Sequence, residues 1–278
     1  MREGWRSWPG RLALLALLPA LLGAGGKPGR GPVVDADAEH ELVERINHSR
    51  KQAGLPKLEA SDQLREAARR HAREMAERGQ LTHRFSGEPG LRQRVAATGL
   101  RFDLVAENVG RSDDVATLHA GFLRSPAHRE NILHPEENAV GVGAVRVGGE
   151  LFVTENFARV VPDYEPEQVE KLVAQAIEEL RKRARLPKLS RAASPPLREQ
   201  ACDMARRDSV QFNHRAYPAA GGTQRIAYAT ADAGSLPEAL RQLAAGTRPV
   251  RFSVGACSAR TPSYPSGGYW VVVVFYFQ

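Results

Sequence analysis

The chain has 278 residues, 42% of them hydrophobic and 26% charged, with a net charge of +7. That composition belongs to a globular protein with a real core, long enough for one large or two medium domains, and not to a chain too polar to fold. The charge is uneven: residues 1–26 carry +2, residues 27–164 carry −1 and residues 165–278 carry +6.

Arg2, Arg6 and Arg11 precede an apolar run from Leu12 to Leu22, and Gly23, Ala24, Gly25 and Gly26 follow. A positive start, a short apolar stretch and a small-residue exit predict that residues 1–26 are a signal peptide, with an uncleaved N-terminal anchor as the alternative. The run is too short to span a bilayer comfortably, and no later segment is apolar for long enough. The protein is therefore expected outside the cytoplasm, periplasmic or extracellular, with no stable transmembrane span after cleavage. An exported chain is a poor candidate for nucleic-acid work, and no nucleic-acid motif occurs. The basic residues Arg181, Lys182, Arg183 and Arg185 read either as a solvated helix face or as a patch for an anionic surface.

Residues 27–38 form a linker rich in Gly, Pro and Asp. Leu42, Val43 and Ile46 then give helical spacing over Glu41 to Ala53. Ser61 or Asp62 caps a second helix, whose apolar stripe runs through Leu64, Ala67, Ala68, His71, Ala72, Met75 and Ala76 up to Gly79. His71 on that stripe is expected to be a core histidine. A polar loop over 80–90 holds His83, Leu91 to Ala97 is a short helix, and Asp113 or Asp114 opens another helix that Ser125-Pro126 stops. Two strands, Ala139 to Val147 and Glu150 to Ala158, flank Gly148-Gly149, a two-residue hairpin signal. After a linker over 161–168 the second half offers a helix over Val169 to Arg185, and strands over Phe252 to Ala256 and Tyr269 to Phe277.

The two halves echo one another. Leu55-Pro56-Lys57-Leu58, Leu64-Arg65-Glu66 and His83-Arg84 return as Leu186-Pro187-Lys188-Leu189, Leu197-Arg198-Glu199 and His214-Arg215. Arg225-Ile226-Ala227 echoes Arg94-Val95-Ala96, and Leu236 to Ala245 echoes the helix before Pro126. Glu107, Asn108 and His128 have no counterparts. The expectation is two copies of one α+β domain, over 39–160 and 169–278, of which only the first kept a polar site. Cys202 and Cys257, both in the second half, are a candidate disulfide, which an exported protein can hold.

Four signatures of the first half occur in order: Leu81-Thr82-His83, Ala106-Glu107-Asn108-Val109, Ser125 to Leu133 (SPAHRENIL) and Phe152 to Phe157 (FVTENF). With the helix pattern of Ala68, His71, Ala72, Met75 and Ala76, they resemble the CAP superfamily, also called the SCP domain. That superfamily takes in cysteine-rich secretory proteins, antigen 5 and pathogenesis-related proteins, and the likeness is to its bacterial secreted members. The second half resembles it only through its likeness to the first. The resemblance implies a three-layer α-β-α sandwich and a cleft where two His and two acidic residues converge. His83, Glu107 and His128 match three of these, and Ser125 stands where the second acidic residue is expected. Two imidazoles and a carboxylate suit a divalent ion such as zinc. The expected function is binding of a ligand at the cell envelope, a lipid, a sterol or a cell-wall component, in a cleft of His83, Glu107, His128, Asn108 and Ser125. Two alternatives stand beside it: a metal-assisted hydrolase of peptide or cell-wall material with Glu107 as general base, and a structural envelope protein. Glu155 lies on the last strand of the first half, facing either the cleft or the opposite layer.

Overall fold

The computed structural model describes residues 31–211 and 222–277; the stretch expected to be a signal peptide and His214 lie outside them. The first half begins with β1 (Val33–Val34), α1 (Ala36–Gln52) and β2 (Glu59–Ala60). Next come α2 (Asp62–Arg78), α3 (Leu91–Ala96), β3 (Phe102–Ser112), α4 (Val115–Arg124), α5 (Pro126–Ile132), β4 (Ala139–Val147) and β5 (Glu150–Val160). The boundaries follow local chemistry. Ser61 accepts the Leu64 N–H at 3.3 Å to open α2, and Gly79 closes it in the left-handed conformation. Asp114 opens α4 by accepting the Thr117 N–H at 2.8 Å. Gly148 and Gly149, with φ of 58° and 94°, make the turn between β4 and β5, where both central residues need positive φ.

The strands order as β1-β4-β5-β3, with β2 also pairing, in parallel, to β4. One face of this sheet packs Leu42 and Ile46 of α1, Leu118 and Phe122 of α4 and Ile132 of α5 against Val142, Leu151, Val153 and Phe157. The other face receives α2 and α3 through Leu64, Ala67, Ala72, Met75 and Val95. These are three layers, helix on sheet on helix. At Gly141 and Gly143 of β4 the helix α2 lies so close that a Cβ would sit 2.1 Å from the Arg65 nitrogen and 2.2 Å from the Arg69 nitrogen.

The second half consists of α6 (Pro166–Arg183), β6 (Ser190–Arg191), α7 (Pro195–Arg206), β7 (Thr223–Thr230), α8 (Glu238–Ala244), β8 (Pro249–Ala259) and β9 (Gly268–Phe277). Its sheet runs β6-β8-β9-β7, with β6 parallel to β8 and the other pairs antiparallel. Order and directions match those of β2-β4-β5-β3. Alternate residues of β9 bury on opposite sides: Val271, Val273 and Phe275 against α6 and α8, and Trp270, Val272 and Val274 against α7. Cys202 on α7 is joined to Cys257 on β8 across a Cα–Cα distance of 5.0 Å. Contacts also cross between the halves: Ser266 donates to the Phe102 carbonyl at 2.8 Å, and Arg101 donates to the Ala231 carbonyl at 3.1 Å.

Two sequence echoes and the reading of one basic residue resolve differently. Arg94 lies on α3 whereas Arg225 lies on β7, so those two segments fold unlike each other. Arg181 is 2% exposed and donates to the carbonyls of Pro187, Ala244 and Gly246, so it is no part of a surface patch. Arg50 does the same to Pro56, Ile132 and His134. Since Ala244 ends α8 and Ile132 ends α5, α8 stands in the place of α5 and not of the helix before Pro126.

Candidate functional site

The candidate residues straddle β3, the edge strand of the first sheet. Neighbouring side chains on a strand point to opposite faces. Glu107 turns toward α3 and the 80–90 loop, while Asn108 turns toward α5. His83 stands on the loop, with its side chain 59% exposed, and its Nδ1 is 3.1 Å from Glu107 Oε1. His128 lies on α5, half-buried, with its ring edge against Phe122 at 5.0 Å between centroids. Burial, and then the charge of nearby His83, lower the His128 pKa. Ser125 ends α4 and caps α5; it is half-buried and offers a neutral hydroxyl.

An amide network fixes these groups. Asn108 Nδ2 donates to the His128 carbonyl at 3.2 Å and to Glu155 Oε2 at 3.0 Å. Asn131 Nδ2 donates to the Glu107 carbonyl at 3.2 Å and to Asn108 Oδ1 at 2.9 Å. Asn131 thus ties α5 to the edge strand, a role not singled out from the sequence although it lies inside the SPAHRENIL signature.

Arg94, also missed, is the centre of the other side. It is 8% exposed and donates through Nη2 to Glu107 Oε2. Through Nη1 it donates to the carbonyls of His83 at 3.2 Å and Pro89 at 3.3 Å, and it lies 3.4 Å from Glu88 Oε1. Glu88 in turn meets His71 Nδ1 at 2.8 Å, and His71 Nε2 meets the Thr82 carbonyl at 2.8 Å. Both His71 partners are acceptors, so either both ring nitrogens donate or Glu88 holds a proton. His71 is buried, as expected, but it is a polar anchor for the loop and not an apolar filler.

Metal chemistry is a matter of donors and distances. The ligand atoms of His83, Glu107 and His128 do not gather: among the described residues, the one group of three lying within 4.8 Å is His71, Glu74 and Glu88. That His/Glu group could hold an ion. Its atoms are already engaged, Glu74 by Arg78 at 2.5 Å and Glu88 by His71 and the Phe85 N–H at 2.9 Å.

Glu155 faces the α5 layer, in register with Asn108, and reaches the cleft only through that amide. It is fully buried with Oε1 unpartnered, and burial pushes its pKa up to about 8. The unfolded chain releases this proton above 4.5 while the native state keeps it, so the native state loses relative stability as pH rises from about 4.5 to about 8. Glu155→Gln, which keeps an acceptor for Asn108, removes that dependence. In urea titrations against pH, wild type and variant should differ by on the order of 3 kcal/mol more at pH 7 than at pH 4.5, in favour of the variant. Parallel stability profiles would mean that Glu155 is ionised in the native state.

Residues 43–157 match the family described as CAP, the cysteine-rich secretory protein family. The "Uncharacterized protein YkwD" of Bacillus subtilis is 25% identical over 111 residues, 40% of this chain and 43% of its own length. The "Uncharacterized membrane protein YlbC" of the same organism is 27% identical over 128 residues, 45% of this chain and 36% of its own. The chain thus spans less than half the length of these curated relatives. Among solved structures, an extracellular protein containing a SCP domain from Bacillus anthracis is 26% identical with a TM-score of 0.41, covering 45% of this chain and 41% of its own. Within the described residues no helix is long and apolar enough to cross a membrane. Residues 43–157 of this chain thus carry the match to the CAP family, and the curated relatives it resembles are bacterial.

Proposed function

We propose that this is an exported protein whose CAP domain, residues 39–160, binds a ligand in the cleft of His83, Glu107, Asn108, Ser125 and His128. Residues 169–278 are a degenerate copy of that domain, joined to it by residues 161–168. The observation that carries this reading is a comparison of register. Glu107 and Asn108 pair with Asn156 and Glu155; the matching positions of the second sheet are Ala227 and Tyr228, paired with Val272 and Val271. Where the first half spends buried polar groups, the second has an apolar core. A fold alone tolerates such replacement, so retaining the costly polar set argues for a task beyond stability. The Arg50 and Arg181 anchors, each donating to the proline carbonyl six positions on, support common descent of the halves.

The arginines and small-residue exit of residues 1–26 support export. The ligand is a lipid or sterol, or a cell-wall component, met at the envelope. Glu107 as a general base on metal-bound water finds less support, because His83 takes one of its oxygens and Arg94 the other. The test is ligand-observed NMR on the mature chain with sterol, fatty acid and muropeptide mixtures, repeated with His128→Ala and Ser125→Ala. The reading expects binding to one class, weakened roughly tenfold or more in His128→Ala. A chain that binds none, with His128→Ala only less stable, is a structural envelope protein.

A further inference from the structure

The cleft carries its own cation. We infer that Arg94 does in this cleft what a divalent ion would otherwise do, neutralising Glu107 and holding His83 beside it, so that the cleft binds its ligand without a metal. This rests on the ligand-cleft reading above and goes beyond it, naming the residue that decides which charge the cleft accepts.

Three observations carry it. First, Glu107 is the sole carboxylate among the cleft residues, and neither of its oxygens is free: Oε1 faces His83 Nδ1 at 3.1 Å and Oε2 accepts from Arg94. An ion would have to displace a guanidinium that also donates to the carbonyls of His83 and Pro89. Second, Ser125, between α4 and α5, brings a neutral hydroxyl, which cannot offset a divalent charge. Third, the histidines do not close on an ion. His83 comes from the loop on one side of β3 and His128 from α5 on the other, and their ligand atoms with those of Glu107 do not all lie within 4.8 Å.

Arg94 meanwhile has the placement of a bound ion. It sits between the carboxylates of Glu88 and Glu107 and fixes the loop through the carbonyls of His83 and Pro89. The planar fork of guanidinium N–H groups suits such fixed multiple recognition. Its charge is permanent, so no metal supply and no metal-linked protons are involved. Left to the ligand are the exposed ring of His83, the ring of His128 and the Ser125 hydroxyl, donors and acceptors without net charge when the rings are neutral.

The test is zinc titration by calorimetry on the full mature chain as wild type, Glu107→Gln, Arg94→Lys and Arg94→Gln, with melting curves in chelator and in added zinc. Wild type and Arg94→Lys should show no zinc heat that depends on Glu107, and the wild-type melting temperature should not move with chelator. Arg94→Gln frees a Glu107 oxygen and should gain zinc affinity by roughly tenfold or more. A merely structural arginine would give a less stable variant with no such gain. Wild-type zinc binding that vanishes in Glu107→Gln overturns the inference whether or not Arg94→Gln folds. That result would leave the ligand reading intact, since NMR tests it separately.

Discussion

Gly141→Ala and Gly143→Ala will each keep the first half from reaching its native packing. The two glycines lie on β4 in the interior of the sheet, on the face that carries α2. An added Cβ at Gly141 would lie 2.1 Å from the Arg65 nitrogen and 2.4 Å from the Leu64 carbonyl carbon. At Gly143 it would lie 2.2 Å from the Arg69 nitrogen and 2.3 Å from the Ala68 carbonyl carbon. These are backbone atoms, so no rotamer change relieves the overlap. The helix would have to rise off the sheet and undo the contacts of Leu64, Ala67, Ala72 and Met75. Overpacking in a core typically costs about 1–3 kcal/mol even where side chains can yield. Here a whole helix must move, so a loss above ~4 kcal/mol is expected, most of a small domain's stability. Gly121→Ala is the control, because on α4 the nearest atom to its Cβ is the Arg124 side chain at 4.0 Å. Circular dichroism and urea midpoints should show the control at or slightly above wild type. A Gly141→Ala variant within ~1 kcal/mol of wild type would show that α2 does not lie this close.

Loss of the Cys202–Cys257 bond will cost the second half about 4 kcal/mol. The chain-entropy estimate for a closed loop of 55 residues gives that size. Register explains why a covalent tie belongs there. Gly255 of β8 meets Leu197 as Gly141 meets Leu64, and two residues on, Cys257 occupies the place of Gly143. Cys202 then matches Arg69, five residues beyond its leucine. One half closes helix onto sheet by omitting a side chain, and the other bonds two side chains across the gap. Denaturant unfolding of Cys202→Ser/Cys257→Ser should show the loss, with the first-half signals unmoved. A double variant unfolding with wild type would mean that apolar packing around Trp270 already holds α7 in place.

The helices and the hairpin were legible because their signals are local. Ser61, Gly79, Asp114 and the Gly148-Gly149 pair each state a boundary by their own backbone chemistry. The strand β3 was not legible. Phe102-Asp103-Leu104-Val105-Ala106-Glu107-Asn108-Val109 lacks clean alternation, since at the sheet edge polar residues face both sides. The candidate site was read from its motifs, but the geometry around Glu107 depends on a residue outside them. Arg94 sits on a short helix with nothing in its spacing to mark it, and its importance comes from carbonyls and carboxylates brought together by folding. The echo of Arg94-Val95-Ala96 in Arg225-Ile226-Ala227 misled because three residues can match by chance, whereas the leucine and proline anchors recur in one register.

The apolar β9, which gives the second half its core, also makes it hazardous in isolation. Tyr269 to Phe275 contains no charge and no proline, and its β-branched and aromatic residues are those that stack into fibrils when uncovered. In the native fold β8 and β7 pair with both of its edges, and α6, α8 and α7 cover its faces. All of these partners precede β9 along the chain, so they are already at hand when it emerges during synthesis. Folding of the second half as a whole therefore keeps the segment covered, and a fragment that carries it without α7 will precipitate.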